Sequence, residues 1–264
     1  MRNARIDRYE DLPREVVTTG NDYAARYVLA PHSHRRCQLL YAMTGVMTVI
    51  TEEGSWVIPP RRALWIPSGM KHEVHMSGPT STRSAYVLDE VARATGLPAH
   101  CEVIAVSPLL HELLIEAVDL PALYELDGRD GMVMRLLLEE IRRMPTLALN
   151  TPLPRERRLA ALCRHLLEHP SQEVKIDDMA MSAGMSRRNF TRMFREQTGM
   201  SFAAWRQQAC LLAALTRLGN GEPVTQVAME LGYNSSSALS AVFRRVLGAP
   251  PSRFLADNGL SGAA

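Results

Sequence analysis

The chain has 264 residues, of which 46% are hydrophobic, and its formal net charge is +2. This length exceeds that of a typical single domain, and the apolar fraction is enough for two cores. No apolar run is long enough to span a bilayer, and residues 1–8 lead into no hydrophobic signal core, so we expect a cytoplasmic protein rather than a membrane or secreted one.

Charge and cysteine usage narrow the class of protein further. Residues 150–264 hold 14 Arg or Lys against 9 Asp or Glu, whereas residues 1–149 hold 16 against 19. The C-terminal half is therefore suited to neutralising phosphates, and the N-terminal half is not. No Cys-x-x-Cys pair occurs, which argues against a disulfide framework and a cysteine zinc site. The cysteines are far apart in the chain, at Cys37, Cys101, Cys163 and Cys210.

Short strands are predicted along residues 26–90. Thr-Gly, Glu-Glu-Gly, Pro-Pro and Ser-Gly turns separate them, and evenly spaced short strands with tight turns are typical of a small β-barrel or jelly roll. The predicted strands are Gln38–Met43, Val46–Thr51, Ser55–Pro59, Ala63–Pro67, His72–Met76 and Ser84–Leu88.

Polar residues in this segment have the spacing of the two cupin motifs. The runs His-Ser-His-Arg-Arg-Cys-Gln at 32–38 and Pro-Ser-Gly-Met-Lys-His at 67–72 resemble those motifs. Residues 32, 34 and 38 share one face if the strand is continuous. The resemblance implies one divalent ion inside the barrel, and imidazole ligands suit Zn, Ni, Fe or Cu. The implied ligands are His32, His34, Gln38 and His72.

Two departures from the cupin pattern leave other interpretations of these histidines open. Gln38 stands where metal-binding cupins usually have glutamate, and Met76 stands where asparagine often closes the second motif. The polar residues can equally line a pocket for an organic effector, or be histidines satisfied by backbone hydrogen bonds. His75 has the opposite strand parity to His72 and is not counted as a ligand.

Two amphipathic helices and a proline-rich linker follow the strands. Residues 110–117 and 134–141 each place apolar side chains on one helical face. These faces either pack on their own domain or form a dimer contact. Residues 145–154 contain three prolines and are predicted to be an extended linker. The apolar stripes consist of Leu110, Leu113, Leu114 and Ala117, then Met134, Leu137, Leu138 and Ile141.

The last hundred residues contain one helix-turn-helix pattern twice. Ala180 and Ala228 occupy positions where two helices cross closely, and Gly184 and Gly232 follow four residues later, where the chain must turn. Apolar residues return at helical spacing after each turn. Ser186 and Ser235 are predicted to cap the second helices, which end at Gly199 and Gly248. Two units in one chain favour a protein that reads duplex DNA with both.

The exposed faces of the two second helices differ in charge. The first is rich in arginine, whose guanidinium group can contact guanine edges or phosphates, so base readout is expected there. The second presents serines before its arginines and is expected to supply mainly phosphate contacts and register. The predicted DNA-binding residues are Arg187, Arg188, Thr191, Arg192 and Arg195 in the first helix, and Ser236, Ser237, Ser240, Arg244 and Arg245 in the second.

Residues 154–254 resemble the DNA-binding domain of AraC/XylS-type bacterial transcription regulators. The likeness includes the run Gly-Tyr-Asn-Ser-Ser-Ser-Ala-Leu-Ser-Ala-Val-Phe at 232–243 and a long helix at 201–218 joining the two units. It implies that both second helices enter successive major grooves on one face of the DNA. Base contacts are implied for the first helix, and readout by the second is in question because Ala241 replaces a long polar residue. The implied base-contacting residues are Arg188, Thr191, Arg192, Ser236, Ser237 and Ser240.

Together these patterns predict an α+β protein of two domains. Residues 1–144 form a cupin-like, jelly-roll β-barrel with amphipathic helices that binds an effector and dimerises, and residues 145–154 form the linker. Residues 155–258 form an all-α DNA-binding domain with two helix-turn-helix units, and residues 259–264 form a disordered tail.

The predicted function is a transcription regulator whose promoter binding responds to a small effector or a metal ion. Its expected partners are double-stranded promoter DNA, a second copy of the chain and, for an activator, RNA polymerase. The alternative is a metal-dependent cupin enzyme fused to a DNA-binding module, disfavoured because no acid-base pair or nucleophile motif accompanies the histidines. A looser likeness to the subgroup of nitroimidazole-responsive efflux regulators implies control of a neighbouring transporter gene.

Overall fold

The computed structural model describes residues 6–257, so the predicted tail at 259–264 lies outside the described residues. A short 3-10 helix at Ile6–Arg8 precedes the sheet. The strands are β1 (Val16–Tyr23), β2 (Val28–His32), β3 (Cys37–Thr51), β4 (Gly54–Ile58), β5 (Arg62–Ile66), β6 (His72–Val87), β7 (Glu102–Ala105), β8 (Thr146–Leu147) and β9 (Asn150–Pro152). The helices are α1 (Asp89–Ala94), α2 (Pro108–Asp119), α3 (Arg129–Arg143), α4 (Arg157–Glu168), α5 (Ile176–Ser182), α6 (Arg187–Thr198), α7 (Phe202–Gly219), α8 (Val224–Glu230), α9 (Ser236–Leu247) and α10 (Pro251–Asp257).

The described chain divides by its internal contacts into two compact units. The first consists of residues 6–49 and 58–148, and the second consists of residues 50–57 and 149–257. Antiparallel strands dominate the first unit and helices dominate the second, which confirms the predicted fold class. Within residues 6–257, no helix combines the length and the apolar character needed to cross a membrane.

Two long strands replace two predicted pairs of short ones in the first unit. β3 and β6 are 15 and 16 residues long, and the predicted turn at Thr44-Gly45 is wrong because β3 continues through it. Gly45 has a φ of +74°, and a Cβ there would lie 2.3 Å from Thr80 Oγ1. Glycine therefore lets the strand bend against β6 without ending, as in a bulge.

The core of the first unit lies between the sheet and helices α2 and α3. Alternate residues of β3 and β5, such as Leu39, Tyr41 and Trp65, belong to one buried cluster with both helical stripes. Each large apolar side chain buried in this way contributes about 1.5–3 kcal/mol to folding. The stripes predicted at 110–117 and 134–141 thus pack within their own unit.

The proline-rich segment contains two short strands, which cover five of its ten residues. Its first part, β8, pairs with β7 in the first unit. Its second part, β9, pairs with β4 in the second unit, where Ser55 faces Thr151. Trp205 of α7 donates its indole N–H to the carbonyl of Pro152 at 2.7 Å. These bonds explain why residues 50–57 group with the second unit, although the sequence placed them in a domain ending at 144.

Both helix-turn-helix units turn with the same hydrogen bonds. In the first, Met185 N–H donates to Ala180 C=O and Gly184 N–H donates to Met181 C=O, both at 2.9 Å. In the second, residues 233 and 232 donate to residues 228 and 229 at 2.9 and 3.0 Å. This pairing is the Schellman arrangement. The glycine at its turn has a φ of +68° in the first helix-turn-helix and +77° in the second.

We expect Gly232→Ala to destabilise the second helix-turn-helix more than Gly184→Ala destabilises the first. Both substitutions force alanine into a left-handed conformation, at a cost of about 1–2 kcal/mol. A Cβ at residue 232 would also lie 3.1 Å from Glu173 Cγ, whereas one at residue 184 meets only Arg158 Nη1 at 3.5 Å. Urea unfolding of both variants measures the difference, and equal losses would contradict the crowding at Gly232.

Candidate functional site

Helix α6 presents the arginine-rich face expected of a recognition helix. The Ser186 hydroxyl accepts the Asn189 N–H at 3.3 Å, and Gly199 ends the helix with a φ of 72°, as predicted. Phe190 and Phe194 are fully buried, which fixes the opposite side of the helix outward. The exposed side carries Arg187, Arg188, Thr191, Arg192 and Arg195.

Carboxylates that the sequence reasoning missed engage two of these arginines. Arg187 forms an ion pair with Asp177 at 3.1 Å, and Arg192 forms one with Glu196 at 2.9 Å. The i, i+4 spacing of Arg192 and Glu196 was the available signal for the second pair. Arg188 and Arg195 have no ion pair among the described residues, and their guanidinium groups are the ones free to meet an anion.

The exposed face of helix α9 carries fewer arginines than that of α6. Ser235 caps it by accepting the Ala238 N–H at 3.2 Å, and Gly248 ends it with a φ of 79°, again as predicted. Ser237 is exposed, whereas Ser236 and Ser240 are half-buried. Arg244 and Arg245 lie exposed in the last turn, and Arg245 donates to Gln207 Oε1 of α7 at 2.6 Å.

An aromatic cluster holds α6 against α7. The Phe194 ring lies 5.5 Å from Phe190, 5.7 Å from Phe202 and 6.0 Å from Trp205, measured between ring centroids. Trp205 and Leu215 of α7 are fully buried, and Ser201 caps the helix by accepting the Ala204 N–H. The long helix predicted at 201–218 is thus confirmed as the element on which α6 packs.

The first unit brings together the four predicted cupin residues. The His32 and His72 ring centroids lie 4.3 Å apart, and His34 lies 5.2 Å from His72. The Gln38 side-chain amide lies 2.9 Å from His34 Nε2 and 3.1 Å from the Tyr86 hydroxyl oxygen. His75 instead pairs with Glu73 at 3.1 Å, which agrees with its exclusion as a ligand.

All three imidazoles bond a backbone carbonyl through Nδ1. The acceptors are the carbonyls of Ala30 for His32, Arg36 for His34 and Met70 for His72, at 2.8, 2.5 and 2.9 Å. Because a carbonyl only accepts, Nδ1 carries the proton in each ring, and Nε2 of a neutral ring is left with its lone pair. The His72 Nε2 atom is buried and has no hydrogen-bond partner among the described residues.

Gln38 completes this polar network. A neutral His34 presents a lone pair at Nε2, so the Gln38 atom facing it must be a donor. The Gln38 amide nitrogen therefore donates to His34 Nε2. The amide oxygen then accepts from the Ser84 and Tyr86 hydroxyls, which lie 3.0 and 3.1 Å away. Tyr86 is itself buried, so its hydroxyl depends on such a partner.

Burial keeps the His34 and His72 imidazoles uncharged. Loss of solvent lowers the pKa of His72 to about 4, and it also lowers the pKa of His34, against the opposing effect of their backbone hydrogen bonds. Neutral rings are the form that binds a metal ion or accepts a hydrogen bond from an effector. The His34 and His72 rings are therefore neutral at physiological pH.

Acid should destabilise the first unit through His72. Its folded pKa of about 4 lies below the unfolded value near 6.5, so the unfolded state binds more protons as pH falls. Stability is full above about pH 6.5 and is lost progressively towards pH 4, by on the order of 3 kcal/mol. Unfolding in chelator at pH 7.5 and 4.5 should show a smaller pH dependence for His72→Gln than for wild type. Equal dependence in both proteins would contradict this.

Two protein-family models match the chain. A family model described as "AraC-like ligand binding domain" matches residues 16–182, and one described as "Helix-turn-helix domain" matches residues 179–257. The HTH-type transcriptional regulator NimR of Escherichia coli strain K12 is 29% identical over 225 residues, which cover 85% of this chain and 81% of that protein.

Two further likenesses cover shorter parts of the chain. Regulatory protein SoxS of Escherichia coli strain K12 is 38% identical over 88 residues, covering 33% of this chain and 82% of that protein. The crystal structure of the DNA-binding domain of AdpA in complex with a target DNA is 35% identical, with a TM-score of 0.36, and covers 38% of this chain and 91% of that chain. The ligand-binding model spans more than half of the chain, and the chain therefore belongs to the AraC family of effector-modulated, DNA-binding transcription regulators.

Proposed function

We propose that α6 and α9 enter successive major grooves of promoter DNA and that α6 carries most of the base readout. The exposed α6 face, on which Arg188 and Arg195 lack a carboxylate partner among the described residues, supports this proposal. Such guanidinium groups form paired hydrogen bonds to guanine, whereas the serines of α9 are shorter and partly buried. Arg244 and Arg245 of α9 then contact phosphates and set the register.

The imidazole cluster of the first unit is the proposed effector site. Its rings lie close together, the buried His34 and His72 rings are neutral, and His72 Nε2 lacks a partner that a ligand donor would supply. An effector alters DNA affinity only if it binds two states of the protein with different affinity. We propose that the difference lies in the segment 145–154, in which β8 pairs with β7 and β9 pairs with β4.

A divalent transition metal ion is the second candidate occupant. The buried, unpartnered His72 Nε2 and the proton on Nδ1 of each ring favour it, because metal-bound histidines donate their other N–H in this way. The ligand nitrogens of His32, His34 and His72 do not all lie within 4.8 Å of one another, so the rings must close further on an ion. His32, His34, Gln38 and His72 would hold the ion, which would supply a fixed positive charge.

Elemental analysis and a DNA titration together separate these occupants. The purified, untagged chain is measured by inductively coupled plasma mass spectrometry and titrated with its upstream intergenic DNA before and after chelation. A metal content that falls by one equivalent in His72→Ala, together with altered DNA affinity, makes the ion the effector. A metal content that is equal in wild type and His72→Ala after reconstitution, with DNA binding intact, removes the ion from this cluster and leaves an organic-effector pocket.

We propose no catalytic role for the cluster. The relatives described above are transcription regulators and a DNA-binding domain. The hydrogen-bond partners of the cluster are backbone carbonyls, an amide and hydroxyls, and no carboxylate among the described residues bonds to it as an acid or base. The rival metalloenzyme would turn over a substrate without residues 155–264, and the proposed regulator would not.

We further propose that the protein forms a homodimer and controls a neighbouring transporter gene. If it activates transcription, it also contacts RNA polymerase. Met132 and Leu136 of α3 lie one turn apart and are 56% and 43% exposed, on a side of the helix that the core does not cover. This side suits a second copy of the chain. Sedimentation at several concentrations should show dimers that Met132→Glu reduces to monomers, and a monomer at every concentration would contradict the dimer.

A further inference from the structure

The C-terminal end of α4 carries three side chains of metal-ligating type. No other side chain among the described residues bonds to them. His165, Glu168 and His169 have ligand atoms that all lie within 4.8 Å of one another, and all three residues are exposed. The two imidazole rings lie 5.0 Å apart between centroids. The i, i+3, i+4 spacing places them on one side of the helix end, in the order that lets one ion reach all three.

These two histidines differ from the others in the chain. Of the eight histidines, the six others each have a hydrogen bond or ion pair, for example His75 with Glu73 at 3.1 Å and His100 with Glu102 at 2.7 Å. Among the described residues, no side-chain partner engages His165, Glu168 or His169, although a carboxylate lies beside both rings. Their lone pairs are therefore free for a ligand.

The C-terminal end of α4 adds negative charge to the cluster. α4 is 12 residues long and ends at Glu168, so its unpaired terminal carbonyls add partial negative charge to that of the carboxylate. The opposite side of the helix is fixed, because Leu159, Cys163 and Leu166 are buried in the core of the second unit. The site thus stands on a rigid element, and its side chains can adjust to an ion without disturbing the core.

We infer that His165, Glu168 and His169 form a surface site for a divalent transition metal ion. Two imidazoles and one carboxylate suit zinc, nickel or copper, and three protein ligands leave a coordination position open to water. The ion would tie residue 169, which lies just beyond the helix, to the last turn of α4. The site is separate from the imidazole cluster of the first unit, which shares none of its residues.

The test is calorimetric titration of the untagged full chain with Zn²⁺ in the His72→Ala background, which removes the candidate ligand of the first unit. We expect one bound ion. Adding His165→Ala or His169→Ala should weaken binding by about 10- to 100-fold or more, since even indirect supports of a metal site cost that much.

Matched variants keep the inference falsifiable. His100→Ala removes another exposed histidine and should leave the affinity unchanged. If His72→Ala does not fold, the double variant His165→Ala/His169→Ala in the otherwise wild-type chain should lose one equivalent of Zn²⁺. No binding in the His72→Ala background, or equal affinity with and without His165 and His169, would overturn the site whether or not the effector proposal holds.

Discussion

Arg188→Ala should weaken operator binding by about 1–3 kcal/mol, which is roughly 5- to 150-fold in affinity. Arg188 is exposed on α6 and forms no ion pair among the described residues, so its guanidinium group is available for two parallel hydrogen bonds to a guanine. A fluorescence anisotropy titration of a footprinted operator at fixed salt measures the loss. The salt must be fixed because phosphate contacts make every such affinity depend on it.

Three further variants give this prediction its controls. Arg188→Lys keeps the charge but removes the paired donors, so it should restore little of the affinity if Arg188 contacts a base. Arg143→Ala removes the same charge from α3 and should leave binding unchanged. Arg192→Ala should also cost about 1–3 kcal/mol, and it additionally frees the Glu196 carboxylate near the DNA. Unchanged affinity in Arg188→Ala would exclude α6 as the main reading helix.

Phe194→Ala should lower the free energy of unfolding of the second unit by about 3–5 kcal/mol. The Phe194 side chain is fully buried and contacts the rings of Phe190, Phe202 and Trp205, so its removal leaves a cavity between α6 and α7. A loss of this size is a large fraction of the stability of a small domain. Urea unfolding, followed by far-ultraviolet circular dichroism, measures it.

A conservative variant separates cavity formation from loss of the aromatic contacts. Phe194→Leu retains much of the buried volume and should lose less stability than Phe194→Ala. Both variants should leave the unfolding of the first unit unchanged, because Phe194 belongs to the core of the second. A loss below about 1 kcal/mol for Phe194→Ala would show that α6 does not depend on this cluster.

The helical part of the fold could be read from the sequence because its signals are local. Ser186 and Ser235 cap the recognition helices, Gly199 and Gly248 end them, and each of these positions is fixed by residues within one turn. The same local chemistry gave the glycine turn of each helix-turn-helix unit. The likeness to the cupin motifs picked out His32, His34, Gln38 and His72, which lie together in the structure. The strand assumed to be continuous over residues 32–38 is not, because β2 ends at His32 and β3 begins at Cys37.

The features that could not be predicted from the sequence depend on contacts between residues far apart in the chain. The run Thr44-Gly45 has the composition of a turn, and only the neighbouring Thr80 shows that Gly45 bends a continuing strand. Residues 50–57 group with the second unit because β4 pairs with β9, about a hundred residues away. The pairing of Arg187 with Asp177 depends on how α5 packs on α6, which helical periodicity does not encode.

Hydroxyl-radical footprinting of the full chain on its upstream intergenic DNA tests most directly whether one chain reads DNA with both α6 and α9. We expect two protected segments per bound chain on one face of the duplex, about 10 base pairs apart, with Arg188→Ala weakening protection chiefly in one of them. A single protected segment, unchanged by Arg188→Ala, would contradict this expectation.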